Sequence, residues 1–254
     1  MRHRSHEDTP IDALLAAQGD LTLPLLAVPP ACNHDRMGAP LEAGTARALG
    51  VVSRRALWAR LSSGMSAGVT VLSAPAGSGK TVLLRSWIDE AGLRARTAWI
   101  LVERQERDAQ HFWLSVVERL RSAVGRDGLV HELAPTPDFD GEGLVRRLIS
   151  DLEPLDEPVV LVIDDLQELV SPDALAQLEF LLAQRPRLLH VVLAARHAPS
   201  LGLHRLRLAG ELTELRAADL RFSAEEAREL LGTSGVELSG EAASMLQPRG
   251  GLRA

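Results

Sequence analysis

The sequence predicts an α/β fold in which a parallel sheet is flanked by helices on both faces. Short apolar runs, often β-branched, alternate along the chain with segments whose apolar residues recur at helical spacing. The run from Val159 to Ile163 is continuously apolar, which is typical of a strand buried on both faces of a parallel sheet. This alternation predicts a doubly wound sheet with right-handed crossovers.

The predicted elements alternate in type from residue 51 onward. The first five are a short helix through Leu57 and Leu61, a strand over 69–73, a helix ending near residue 91, a strand over 97–102 and a helix over 110–124. After a Gly- and Pro-rich loop over 125–140 come a helix over 143–152, a strand over 159–163, a helix over 173–184 and strands over 188–195 and 211–216. Ser223 is expected to cap a last helix over 224–231.

Length and composition favour one main domain. A chain of 254 residues with 46% hydrophobic content can bury a single α/β core and a small appendage. Residues 1–40 are rich in His, Pro and small residues without a regular period, and we expect a poorly ordered leader there. Residues 41–222 are predicted to form the main domain, and residues 223–254 to begin a helical subdomain.

Charge and composition argue against several classes of partner. The net charge is −6 and the pI about 5.8, so the chain has no overall basic field for nucleic acid. Aromatic residues make up 3% and tyrosine is absent, which removes the stacking platforms of single-strand binders. Direct DNA binding is therefore not expected. Because Cys32 is the only cysteine and prolines interrupt the apolar segment 21–28, we expect no disulfide, no membrane segment and a cytoplasmic location.

Residues 73–81 have the pattern of a phosphate-binding loop between a strand and a helix. Glycines allow backbone N–H groups to surround phosphates, a lysine ammonium reaches the β- and γ-oxygens, and a threonine hydroxyl ligates Mg²⁺. Ala74 stands where the first glycine of the pattern belongs, which requires a negative φ there. A plain Gly/Ser linker would not need Lys and Thr after its last glycine. The residues predicted to bind the nucleotide are Ala76, Gly77, Ser78, Gly79, Lys80 and Thr81, with Thr81 also at the metal.

Two acidic residues and an arginine end the neighbouring buried strands. Ligand crevices of open α/β sheets lie at the carboxyl ends of strands, so Asp164 is predicted to hold Mg²⁺ and Asp165 to orient or deprotonate the attacking water. The alternative is that this pair makes a turn or caps a helix. Arg196 can stabilise the terminal phosphate if its strand lies between the other two, and is otherwise a solvated strand end.

These residues together resemble the nucleotide-binding domain of MalT-like, large LuxR-family transcriptional regulators, which belong to the STAND class of P-loop NTPases. The similar stretches are Val52–Leu57, Ser73–Gly77 with Gly79–Thr81, Ala98–Trp99, Asp108 with Phe112–Trp113, Val162–Leu166, Ala195–Pro199, Leu206–Arg207, Glu211–Leu212 and Glu214–Phe222. Ala74 is usual in this family, whereas Gln167 stands where many members have His. The resemblance covers about residues 51–246.

The resemblance implies an ASCE-type sheet, ATP rather than GTP, and a switch between an ADP-bound resting form and an ATP-bound active form. It also implies that Val52 and Arg54 lie beside the adenine. Members of this family continue into a winged-helix segment, a helical-repeat sensor and a helix-turn-helix, none of which is expected after Met245. The expected partners are therefore the nucleotide and either further copies of the chain or a separate regulator protein.

Three functions remain open from the sequence. The leading hypothesis is an ATP-binding regulatory switch that hydrolyses slowly. A small-molecule kinase is disfavoured, because an Asp-Asp strand followed by a strand ending in arginine is typical of NTPases in which water attacks. The third is a stand-alone ATPase or non-catalytic interaction module that acts on a separate partner.

Overall fold

The computed structural model describes residues 52–125, 129–130, 139–223, 225–227 and 229. The predicted leader, most of the predicted loop over 125–140 and half of the predicted helix over 224–231 lie outside the described residues. The same holds for the predicted domain boundary at residue 41 and for the subdomain beyond residue 229.

Helices and strands alternate through the described residues as the sequence predicts. In chain order they are α1 Arg55–Ala67, β1 Val69–Ser73, α2 Lys80–Glu90, β2 Thr97–Leu101, α3 Ala109–Val124, α4 Gly141–Leu152, β3 Val159–Asp164, α5 Pro172–Gln184, β4 Leu189–Ala195, α6 His204–Ala209 and β5 Leu212–Arg216. Short 3₁₀ turns lie at Arg94–Arg96 and Leu166–Glu168. The sequence did not predict α6, because its six residues are too few to display a helical period.

The five strands form one parallel sheet with the order β2-β3-β4-β1-β5. β4 therefore lies between β1 and β3, which is the condition on which the predicted role of Arg196 depends. The register pairs Ser73 with Ala195 and Leu101 with Asp164. The carboxyl ends of these strands consequently meet at one edge of the sheet.

Two apolar layers cover the sheet, one on each face. On one face, side chains of α1 and α2 such as Leu61 and Trp87 pack with Val160 and Val162 of β3. On the opposite face, Val159, Leu161 and Ile163 of β3 join a larger cluster. Helices α3, α4 and α5 contribute Trp113, Leu148 and Leu178 to that cluster. Every residue of β3 is buried, so the prediction of a strand covered on both faces is confirmed.

Polar side chains fix where the helices next to the sheet begin. The Asp108 carboxylate accepts hydrogen bonds from two backbone N–H groups in the first turn of α3, and Asp140 accepts one at the start of α4. Ser171 caps α5, with Pro172 at its first position. The predicted cap at Ser223 is also present, because its hydroxyl accepts from the Glu226 N–H while the Glu226 carboxylate accepts from the Ser223 N–H.

In the part of the chain that the structure describes, we find no helix with the length and apolar character required to cross a lipid bilayer.

His190 is a buried titratable group in the middle of the sheet. It lies on β4 with 2% of its surface exposed, and its Nε2 is 3.3 Å from Thr70 Oγ1 on β1. Its ring meets the Trp87 ring edge-on at 6.3 Å between centroids. Burial, together with the positive charge of Arg185, lowers the pKa of His190 from 6.5 to about 4. The folded protein therefore holds this imidazole neutral at pH values where the unfolded chain binds a proton.

We expect His190 to make the fold sensitive to acid. Its folded-state pKa lies below its unfolded value, so its contribution is complete above pH 6.5 and is lost as the pH falls towards 4. One proton bound only on unfolding steepens the fall by up to about 1.4 kcal/mol per pH unit. Urea unfolding between pH 7 and 4.5 should show a shallower fall for His190→Gln than for the wild-type protein.

The exposed His204 provides the matched control, since His204→Gln should keep the wild-type dependence. Identical slopes for His190→Gln and the wild-type protein would contradict this account.

Candidate functional site

The phosphate loop joins β1 to α2 and has the backbone conformation that its glycines allow. Gly77 and Gly79 have φ values of 76° and 82°, and Gly79 directly precedes the first residue of α2. A Cβ on either glycine would meet no heavy atom within 4 Å, so space above the loop is open and backbone conformation is what requires glycine. Among the described residues, Ala74 is not one of those with a positive φ, so its backbone has the conformation that a residue with a Cβ requires there. The loop is therefore shaped to surround an anion at the N-terminus of a helix.

Lys80 folds back across the loop. Its ammonium donates to the carbonyl oxygens of Ala74 at 2.7 Å and Pro75 at 3.1 Å, and the residue is 7% exposed. Burial lowers the pKa of Lys80, and the negative charges of Asp165 and Asp164 oppose that shift. Lys80 is also the only lysine of the sequence, in which every other fixed cationic side chain is arginine.

Thr81 and Asp164 connect the loop to β3. The Thr81 hydroxyl donates to Asp164 Oδ2 at 2.8 Å, and Asp164 Oδ1 accepts from the Asp165 N–H at 3.0 Å. Burial raises the pKa of Asp164, partly offset by the hydrogen bond from Thr81. A hydroxyl and a carboxylate oxygen this close together are the donor set that suits Mg²⁺. These two residues would hold the ion.

Asp165 has an unusual backbone conformation. Its φ of 54° and ψ of 40° place it in the left-handed region, which turns the chain sharply at the end of β3. Its carboxylate accepts from Gln167 Nε2 at 2.8 Å. The side chain is half-buried and lines a cleft at the carboxyl edge of the sheet.

Arg196 directly follows β4 and lines the same cleft as Asp165. Its backbone N–H donates to Gln167 Oε1 at 3.0 Å, and its guanidinium is 3.5 Å from Glu168 Oε1. Half of its side chain is exposed, which leaves the guanidinium accessible from the cleft.

Arg196 stands between two clefts. The first has a volume of about 510 Å³ and is lined by Leu101, Val102, Arg104, Gln105, Asp165, Glu168 and Arg196. The second, of about 540 Å³, borders the phosphate loop at Ala74 and Pro75 and extends to Arg216, the last residue of β5. Both clefts lie at the sheet edge to which the loop, β3 and β4 contribute.

Val52 and Arg54 lie at the start of the described chain, and both are buried. The Arg54 guanidinium donates to the carbonyl oxygens of Leu220 at 2.7 Å and Arg221 at 2.8 Å. It also pairs with Glu226 at 3.3 Å. The structure thus engages Arg54 with the segment after β5, and its predicted place beside the adenine stays a prediction.

Gln167 and Glu168 also lie at the site, although the sequence predicts a role for neither of them. The residue types carry no motif signal, because a Gln and a Glu in a 3₁₀ turn are ordinary surface residues. Only the strand order, which brings the end of β4 beside the end of β3, reveals that Gln167 contacts both.

A second acidic group lies after β2. Ligand atoms of Glu103, Glu106 and His111 are within 4.8 Å of one another. The Glu106 carboxylate, however, already accepts from the Asp108 N–H and pairs with His111, and that hydrogen bond raises the pKa of His111. The Glu106 carboxylate thus contacts residues at the beginning of α3, which explains why these side chains lie close together.

Residues 54–194 match the protein family described as the AAA ATPase domain. The chain belongs to this family. Its ATPase domain is similar to part of the HTH-type transcriptional regulator MalT of Yersinia pestis (strain Pestoides F), with 29% identity over 181 residues that span 70% of this chain and 20% of MalT. It is similar as well to part of the serine/threonine-protein kinase PknK of Mycobacterium tuberculosis, with 28% identity over 188 residues, 73% of this chain and 17% of PknK.

The fold is that of a solved signal-transduction ATPase. The STAND protein with a tetratricopeptide-repeat sensor from Pyrococcus horikoshii superposes with a TM-score of 0.52 and 18% identity, over 77% of this chain and 27% of that chain. The predictions of a P-loop NTPase sheet and of a MalT-like ATPase domain are confirmed. The chain spans about a fifth of the length of the MalT relatives that it matches.

Arg54 should contribute strongly to stability. Replacing it with alanine removes the donor to two carbonyl oxygens and the ion pair with Glu226, and we expect a loss of about 2 kcal/mol or more in the free energy of unfolding. The neighbouring Arg55 is exposed, so Arg55→Ala should change the free energy of unfolding by less than about 0.5 kcal/mol. Urea unfolding of both variants measures the difference, and equal effects would contradict the importance of these contacts.

Proposed function

We propose that this chain is an ATP- and ADP-binding regulatory switch domain that uses Mg²⁺ and hydrolyses ATP slowly. The observation that carries the proposal is the convergence of the phosphate loop, the Thr81–Asp164 pair and Arg196 at one edge of a parallel sheet. Membership of an ATPase family supports ATP as the nucleotide. Similarity to part of a transcriptional regulator supports a regulatory role.

The phosphates would lie against the loop residues Ala76 to Thr81. Backbone N–H groups at the start of α2 supply hydrogen bonds there, and the helix dipole favours the negative charge. Lys80 would exchange its two loop carbonyls for phosphate oxygens, which are stronger acceptors for an ammonium. Thr81 and Asp164 would hold Mg²⁺, which neutralises charge on the phosphates when bound.

Asp165 and Arg196 are the residues we assign to hydrolysis. The Asp165 carboxylate lines the first cleft and would orient or deprotonate a water there. Arg196 borders the same cleft and would stabilise charge on the terminal phosphate. The open cleft leaves that water weakly positioned, which favours slow turnover and suits a switch.

The single lysine allows a direct test of this site. Reductive methylation with ¹³C-formaldehyde retains the charge of Lys80 and yields one side-chain NMR signal besides that of the α-amine. We expect ATP with Mg²⁺ to shift the Lys80 signal in a saturable manner. An unmoved signal at millimolar nucleotide, together with no binding of ATP by the unmethylated chain, would overturn the proposal.

Removing the lysine should remove most of the affinity. Lys80→Ala deletes the charge that faces the phosphates and leaves the backbone loop in place, so titration with a fluorescent ATP analogue should show at least about a tenfold loss. Arg85→Ala removes a cation from the same helix outside the loop and should bind normally. Unchanged affinity in folded Lys80→Ala would refute the site.

Substitutions of Asp164 and Asp165 should affect different steps, the first nucleotide binding and the second hydrolysis. Asp164→Asn should weaken nucleotide binding in the presence of Mg²⁺, and chelating the ion should then have little further effect. Asp165→Asn should bind within about threefold of wild type and hydrolyse about a hundredfold more slowly, because only this acid acts on water. Binding and phosphate-release assays on both variants decide the assignment, and equal effects on affinity and turnover would show that it is wrong.

A further inference from the structure

The side-chain amide of Gln167 joins the ends of two neighbouring strands. Its Nε2 donates to Asp165 Oδ1 at 2.8 Å, and its Oε1 accepts from the Arg196 backbone N–H at 3.0 Å. Asp165 follows β3 and Arg196 follows β4, so one side chain connects the two residues assigned to hydrolysis. Both polar atoms of the amide have a partner of the matching kind, which fixes its orientation.

The surrounding backbone holds Gln167 in this position. The left-handed conformation of Asp165 starts the 3₁₀ turn Leu166–Glu168, and the buried Leu166 anchors that turn in the core. The Glu168 carboxylate then reaches Arg196 at 3.5 Å and the Gln105 N–H at 3.4 Å. Two side chains of the turn therefore contact Arg196 after β4, one at its backbone N–H and the other at its guanidinium.

An amide is suited to this place by its chemistry. Asp165 offers an acceptor and the Arg196 N–H offers a donor, and a bridge between them must donate at one end and accept at the other. A carboxylate can only accept, and an alkyl or thioether chain of the same length does neither usefully. A neutral imidazole, which has one donor and one acceptor, can fill both roles.

We propose that Gln167 is a positioning residue that couples Asp165 to the tip of β4, so that the acid and Arg196 face the cleft in a fixed relation. The inference rests on the proposed function, because it concerns the geometry of hydrolysis. Gln167 is not among the residues that line either cleft. Its loss should therefore reduce turnover and leave nucleotide affinity almost unchanged.

Three substitutions separate the two hydrogen bonds. Gln167→Met keeps the length of the side chain and loses both bonds, Gln167→Glu keeps only the bond from the Arg196 N–H, and Gln167→His at pH 8 keeps both. Gln184→Met is the matched control, since Gln184 is exposed at the end of α5, before β4 begins. The first measurement is hydrogen exchange of the Arg196 amide by NMR in the nucleotide-free protein, and the second is ATP affinity and turnover of the full chain.

The variants should differ in amide exchange at Arg196 and in turnover. Exchange of the Arg196 amide should be about five- to tenfold faster in Gln167→Met and close to wild type in the Glu, His and control variants. Turnover should fall about tenfold in the Met and Glu variants and stay near wild type in the His variant and control, with nucleotide affinity within about threefold throughout. A merely structural role would lower stability without this separation between exchange and turnover.

The inference and the proposed function fail in different ways. Wild-type exchange at Arg196 in Gln167→Met would overturn the coupling whether or not the protein binds ATP. Wild-type turnover in Gln167→Glu would do the same if Gln167→Met does not fold. Failure of the wild-type chain to bind ATP would refute the proposed function, while the exchange measurement would still decide whether Gln167 holds the end of β4.

Discussion

The site depends on one constraint, which is that β4 lies between β1 and β3 in a parallel sheet. Parallel strands end at the same edge, so the loop after β1, the acidic pair after β3 and the arginine after β4 meet there without any specific long-range contact being required. The Thr81–Asp164 hydrogen bond at 2.8 Å then crosses above the end of β4 and fixes the loop against β3. Covering the sheet on both faces keeps the strands in this register, since a shift of one residue would turn buried side chains of β3 into the opposite layer.

Two charged side chains of the site are buried, which disfavours their charged forms. Lys80 and Asp164 are 7% and 3% exposed, and burial lowers the pKa of the lysine while it raises the pKa of the aspartate. Burial thus disfavours the charged form of each side chain. The carboxylates oppose the pKa shift of Lys80, and the Lys80 ammonium opposes that of Asp164. Such a pair gains from a ligand that brings anionic oxygens to the lysine and from a cation that reaches the carboxylate. A nucleotide with Mg²⁺ would supply both to the two residues that we assign to binding.

Most of the fold and part of the site could be predicted from the sequence. The ends of the strands differ from prediction by one residue at most, and the signal is strongest for β3 and β4, which are largely apolar runs buried on two faces. Lys80, Thr81 and Asp164 follow from motifs in which residue type and spacing are dictated by phosphate and metal chemistry. Gln167 and the contacts of Arg54 could not be predicted, since each acts through residues distant in sequence or through backbone atoms, whose positions depend on strand order and on the path after β5. Helix α6 could not be predicted because its six residues are too few to show a helical period of apolar residues.

The conformation of Asp165 shows how the fold, rather than local preference, sets the chemistry. A non-glycine residue in the left-handed region is uncommon, although Asp tolerates it better than most. Here it is held by the buried Leu166 on one side and by the Asp164 carboxylate, which accepts its N–H, on the other. Asp164, which we assign to the metal, therefore also orients the backbone of Asp165, which we assign to the attacking water, and the turn that follows places Gln167 against the end of β4. Because these groups are joined by hydrogen bonds, a displacement of one shifts the others, and the proposed switch function would require such a connection.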